Sequence, residues 1–132
     1  MALILDADVI ISDEKGVFDL QSWVAARPED SFEIAAITVA ELWHGVERAK
    51  GAHKARRRAY IEALVAVIPI IPYTEQTAYE HARLWAELEA TGKIIGFYDV
   101  IVAATALERD CAVVTFNKRH FAQVKGLKIV EP

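Results

Sequence analysis

Asp6 and Asp8 interrupt "LILDADVII", Leu3 to Ile11, a stretch whose other seven residues are apolar. Burying an unpaired carboxylate costs several kcal/mol, so either the apolar run ends at Asp6 or something cationic meets the acids. Two further acids, Glu41 and Asp99, stand near the starts of helical patterns. Carboxylate oxygens suit hard divalent cations such as Mg2+ and Mn2+, and Mg2+ takes only one or two of them while keeping several waters. Acids gathered from Asp6, Glu41 and Asp99 would hold one or two such ions, which position a water and neutralise charge on a phosphodiester in its transition state.

The same acids have a plainer explanation. "TVAE", Thr38 to Glu41, has the spacing of a capping box, in which threonine and glutamate satisfy free amides at a helix start. Aspartate is also a favoured cap, a role open to Asp6 and Asp99. Spacing alone leaves both readings standing, with capping the commoner fate of any one acid.

The elements that must position these residues follow from apolar periodicity. Ala2 to Leu5 is a run of strand length, and Phe18 to Ala26 holds Phe18, Leu20, Trp23 and Val24 in a helical pattern ended by Arg27-Pro28. Glu33 to Ile37 is expected as a second strand. "TVAELWHGVERAK" is expected as a helix opened by Thr38, with Val39, Leu42, Trp43 and Val46 as its apolar stripe. A helix near Lys54 to Val67 leads to "IPIIPY", where the prolines leave room for a brief strand. Thr74 caps an expected helix from Glu75 to Ala90 that closes near Gly92. Asp99 to Arg109 is an Ala-rich helix, and "CAVVTF" and Lys128 to Val130 are the last strands. This alternation predicts a single domain over residues 1–132, a three-layer α/β/α sandwich around a mainly parallel sheet. Ligands bind such sheets at the carboxyl ends of the strands, where Asp6 falls and where Glu41 and Asp99 would have to converge.

Composition narrows the function. A chain of 132 residues, 54% apolar and 26% charged, can bury roughly 70% of its unfolded surface and is not disordered. The lone Cys111 excludes an intramolecular disulfide and a multi-cysteine zinc site, which fits a reducing cytoplasmic setting. His44, His53, His81 and His120 lack paired zinc spacing. No basic and apolar leader opens the chain, and the longest uncharged stretch, Ala63 to Thr74, is too short to span a bilayer, so no membrane role is expected. The formal net charge is −4, yet Arg48, Lys50, Lys54, Arg56, Arg57 and Arg58 put six of the fifteen basic residues in one short segment, which can bind phosphates locally or form a solvated helix face. Trp43, Tyr79 and Trp85 fit helical core or interface positions better than base-stacking platforms.

Four ordered blocks, "LILDADVII", "AAITVAELWHGVERAK", "IIGFYDVIVAATALERD" and "CAVVTFNKRHFAQVKGLKIVEP", resemble the PIN-domain ribonucleases, and most closely their VapC-type toxins of toxin–antitoxin modules. The resemblance implies a Mg2+- or Mn2+-dependent endoribonuclease acting on structured RNA such as tRNA or rRNA. It places the catalytic acids on Asp6, Glu41 and Asp99, with Asp6 and Asp99 on the metal. Thr38, Thr115 and Asn117 become supporting residues, the last two through hydrogen bonds to the acids. It further implies homodimers and a cognate VapB-type antitoxin that buries an apolar groove and sends a basic side chain towards the acids. The basic segment, with Lys118 and Arg119, would contact the RNA backbone.

The sequence departs from the family at one place. Relatives often carry a fourth acid within "TRNxxDF", whereas "TFNKRHF" puts His120 there and Phe116 where arginine is frequent. Asp8 partly replaces the missing charge, and one tightly held ion is expected. His120 is expected to fill a surface position, a proton shuttle being the alternative. Three rival readings stand beside this one. "DADV" fits the DxDx(T/V) pattern of haloacid dehalogenase-like phosphatases, but only Asp99 follows where an acidic pair is needed. A receiver domain would need a phosphoacceptor aspartate near "IPIIPYTEQ", which offers only Glu75. A metal-free binding module would use its acids only as caps.

Overall fold

A computed structural model describes residues 1–132. Five short strands, β1 (Ala2–Leu5), β2 (Ser31–Ala35), β3 (Ile70–Ile71), β4 (Ala112–Val114) and β5 (Lys128–Val130), form one sheet in the order β3-β2-β1-β4-β5. Every pairing is parallel. Parallel sheets need cover on both faces, which is why β1 and β4 are apolar at every buried position instead of alternating. Leu3 and Leu5 face one side with Ala112 and Val114. Ile4 and Val113 face the other.

Seven helices supply the cover. On the Leu3 side lie α1 (Ala7–Glu14), α2 (Leu20–Ala25), α3 (Ala36–Arg48) and α4 (Gly51–Val67). On the Ile4 side lie α5 (Glu75–Ala90), α6 (Phe97–Arg109) and the short α7 (Lys118–Phe121). The three-layer sandwich expected from the sequence is present. Residues Val100 to Ala106 of α6 are all buried, and the small side chains of Ala103, Ala104 and Ala106 let that helix lie close to its neighbours.

Several boundaries differ from expectation. Ala7–Glu14 is a helix that the apolar pattern left unassigned. β2 ends at Ala35 and α3 begins at Ala36, two residues ahead of the Thr38 expected to open it. α4 begins at Gly51 instead of Lys54, and α6 at Phe97 instead of Asp99. These shifts move the acids relative to their helix starts and decide which of them cap.

The chain lays β1, β2 and β3 outward on one side of the sheet and β4 and β5 on the other, so strand order reverses between β1 and β4. Crevices at such reversals, beyond the carboxyl ends of the strands, are where open α/β sheets bind ligands. Leu5 pairs with Val114 at that edge, so the next residues, Asp6 and Thr115, emerge side by side.

Candidate functional site

Asp6 is the residue at which β1 becomes α1. Its backbone N–H donates to the Val114 carbonyl at 2.9 Å, and one carboxyl oxygen accepts from the Ala7 N–H at 2.8 Å. Asp6 therefore caps α1, and the capping and functional readings hold together for this residue. Its other oxygen accepts from the Thr115 hydroxyl at 2.9 Å. Only 5% of Asp6 is exposed, and burial, then the neighbouring Asp8, push its carboxyl up to about 7 against the pull of Thr115, with Asp99 adding to the rise.

Thr115 organises this corner with one proton. Its hydroxyl lies 2.9 Å from Asp6 and 3.2 Å from Asp8, and its oxygen accepts from the Asn117 N–H at 2.9 Å. The Phe116 N–H donates to Asp8 at 3.2 Å. The arrangement that satisfies every group sends the Thr115 proton to Asp6 and leaves Asp8 to the Phe116 amide. Asp8 thus lies beside Thr115 with Asp6, and its charge raises the carboxyls of both Asp6 and Asp99.

Glu41 arrives from α3. Because α3 starts at Ala36 after an extended Ala35 with no side-chain cap, Thr38 and Glu41 lie inside the helix and the expected capping box does not form. The Thr38 hydroxyl and Glu41 Oε1 are buried with no hydrogen-bond partner. Thr38 makes no bond to the acids, contrary to its expected supporting role. An orphaned buried acceptor carries a desolvation penalty of about 1–3 kcal/mol, larger when charged. Burial, then the charge of Asp99, raise the Glu41 carboxyl to about 7.

Asp99 is the third residue of α6, whose cap is Gly96 with no side-chain bond, so Asp99 is not a cap either. Burial raises its carboxyl and Asp8 adds to that, while His120 lowers it. His120 Nδ1 lies 3.5 Å from Asp99 Oδ2, so the partly exposed position expected for this histidine also borders an acid. The Gly96 N–H donates to His120 Nε2 at 3.2 Å, so a neutral imidazole carries its proton on Nδ1. Asn117 Nδ2 lies 2.9 Å from His120 Nδ1, and with the proton on Nδ1 the amide turns over to present its oxygen instead. Asn117 consequently braces His120, where the family pattern had it bonding to the acids.

The donor set is carboxylate oxygen, the chemistry a hard divalent cation prefers. Glu41 Oε1 is buried and unpaired, and the carboxyls of Asp6 and Glu41 are held up near 7, so a cation beside them would relieve both costs. No three acid, histidine or cysteine side chains surround a common point closely enough to form a ready shell.

The basic segment divides. Arg57 is bound to Glu14 of α1 at 3.1 Å, and Arg58 forms an exposed pair with Glu62 at 2.8 Å. Arg48, Lys50, Lys54 and Arg56 make no ion pair. Lys118 and Arg119 are exposed on α7, and Arg119 lines a polar pocket with Asn117, His120 and Gln123. Of the aromatics, Tyr79 and Trp85 are exposed instead of buried in the core. Trp85 belongs to a run of contacting rings, Tyr73, His81, Trp85, Phe97 and Tyr98, along the outer face of α5 and the start of α6. On the opposite side an apolar groove of about 520 Å3 runs between α2 and α4, lined by Leu20, Val24, Phe32, Tyr60, Leu64 and Ile68 among others. No helix is long and apolar enough to cross a membrane.

Comparison with known proteins identifies the family. A PIN domain model matches residues 3–127. Ribonuclease VapC1 of Rickettsia felis is 29% identical over 131 residues, covering 98% of this chain and 96% of the relative. The tRNA(fMet)-specific endonuclease VapC of Salmonella typhimurium is 32% identical over 96 residues, 73% of this chain and 71% of that one. The crystal structure of DNA-bound VapBC from Salmonella typhimurium superposes with a TM-score of 0.90 at 26% identity, covering 99% of this chain and 98% of that chain. The chain belongs to the PIN-domain family and, within it, to the VapC ribonucleases. That membership sets aside the phosphatase and receiver readings.

Proposed function

We propose that this protein is a Mg2+- or Mn2+-dependent endoribonuclease toxin of the cytoplasm that hydrolyses phosphodiester bonds in structured RNA, tRNA first among candidates, and is restrained by a VapB-type antitoxin. What supports this reading best is that Asp6, beside the point where strand order reverses, and Glu41 each feel the charge of Asp99, and that Glu41 Oε1 is buried without a partner. Asp6 and Asp99 are the residues that would hold the ion, which when bound lowers the pKa of a water and neutralises phosphate charge. Thr115 holds Asp6 in place and Phe116 holds Asp8. Glu41, half-buried with its carboxyl near 7, is suited to take the proton of an attacking water. His120 steadies Asp99 from the side that the fourth acid occupies in relatives.

The partners follow the same logic. The groove between α2 and α4 is an apolar seat of the kind an antitoxin segment would bury. The exposed rings of Trp85, Phe97 and Tyr98 are natural anchors for a homodimer, since large aromatics dominate interface energetics. Inducing the protein in a bacterial host tests the toxin reading. Growth should stop as intact tRNA falls, and the Asp6→Asn protein should do neither; arrest by both forms would sink the nuclease explanation of toxicity.

A further inference from the structure

Two helices leave the acids and end in one place. Asp8 is the second residue of α1 and Lys15, just past its end, follows it by seven residues; Glu41 and Arg48 repeat that spacing on α3. Seven residues are two turns, so each pair shares a helix face and spans about 10 Å. Arg57 of α4 ties the far ends together, its Nε donating to Glu14 at 3.1 Å and its Nη1 to the Gly45 carbonyl at 3.4 Å. A Cβ at position 45 would lie 2.9 Å from that Nη1, so glycine, a poor residue for a helix interior, opens the notch in which the guanidinium rests.

Around this anchor lie two adjoining polar pockets that share His53 and Arg57. One includes Arg48 and the other Lys15 and Arg56. Glu14 neutralises Arg57, but Lys15, Arg48 and Arg56 are exposed and make no ion pair. Three unpaired cations gathered on a chain of net charge −4 repel one another and favour an anion between them. Arg48 and Arg56 bring the planar fork that matches phosphate oxygens.

We propose that these two adjoining pockets together form a second phosphate-binding subsite for the RNA strand whose cleavage is proposed above, with Arg48 on one side of the Arg57 anchor and Lys15 and Arg56 on the other as its backbone contacts. The inference rests on that nuclease reading. The helical rise of about 10 Å from Asp8 to Lys15 and from Glu41 to Arg48 corresponds to about three nucleotides of a stacked strand at roughly 3.4 Å each. The subsite therefore grips the strand a few nucleotides from the bond at the acids, raising affinity and fixing register without reading sequence.

The test is binding of a short fluorescein-labelled single-stranded RNA to Asp6→Asn protein in EDTA across a range of NaCl, beside tRNA cleavage by the otherwise wild-type protein. Lys15→Gln, Arg48→Gln and Arg56→Gln are combined in both backgrounds. Each phosphate contact contributes about 0.7 to the salt slope for single strands, so the triple variant should lose about 2 from its slope. Its KM should rise about tenfold with kcat within about threefold. Lys50→Gln with Lys54→Gln removes two cations of the same segment that line neither pocket, and should lose less than half as much. An unchanged slope and KM in the triple variant, or an equal loss from Lys50 and Lys54, overturns the subsite while cleavage by wild type leaves the nuclease reading intact. Binding with the predicted slope but no cleavage by wild type retains the subsite and sinks the nuclease reading.

Discussion

Replacing Asp6 by asparagine should make the metal-free protein more stable at alkaline pH, although Asp6 caps a helix and accepts a buried hydrogen bond. The carboxyl is held at about 7 against an ordinary value of 3.8, chiefly by burial and by Asp8. Between about pH 4 and pH 7 the folded state keeps a proton that the unfolded chain has lost, so stability falls as pH rises through that window and is flat above it. The full shift corresponds to about 4 kcal/mol, which water entry and relaxation at a site edge reduce to roughly 2 kcal/mol. Asparagine carries no charge, still accepts from the Ala7 N–H as a good cap, and can donate to Thr115. At about pH 8 in EDTA, Asp6→Asn should therefore melt roughly 6 °C above wild type, at about 3 °C per kcal/mol for a chain of this size. At about pH 5 the gap should shrink to less than half. Mn2+ at about a hundred times its Kd should then add roughly 2.7 kcal/mol to wild type and little to the variant. Differential scanning calorimetry at both pH values reads all of this. A variant that melts lower than wild type at both would show that the carboxylate stabilises the fold and that the site is not strained for want of a cation.

Two other substitutions probe the supports. Thr115→Val removes the donor to Asp6 and the acceptor of the Asn117 N–H in a fully buried position, so thermal melts should show a loss of about 1–3 kcal/mol, and activity should fall at least tenfold. His120→Ala frees the Gly96 N–H and the Asn117 amide beside Asp99; steady-state kinetics should show kcat down about tenfold with KM unchanged, and an unchanged kcat would reduce His120 to a filler.

What the sequence reveals of this fold depends on how local the cause is. β1 is legible because a parallel central strand is apolar throughout, and α5 because Thr74 and Thr77 cap it reciprocally and its apolar stripe recurs at helical spacing. α1 is hidden because "ADVIISDE" is rich in strand-forming residues and its helix is set by tertiary packing against α3 and α4. The start of α3 is hidden for a related reason. Nothing in Ala35 or Ala36 signals a cap, whereas "TVAE" two residues later imitates one. The acids themselves stand out as charge in apolar surroundings, but which of them cap depends on boundaries a few residues wide. Asn117 and His120 are the least legible, since their bonds to each other and to Gly96 join segments that only the fold brings together.

The measurement that bears most directly on the central claim is cleavage of purified tRNA and total RNA by antitoxin-free protein, with Mg2+ or Mn2+ against EDTA, beside Asp6→Asn, Glu41→Gln and Asp99→Asn. Discrete products that require the metal and vanish with each acid are the predicted result. Folded protein that cleaves neither RNA with either metal, or acid variants that cleave as well as wild type, would contradict it.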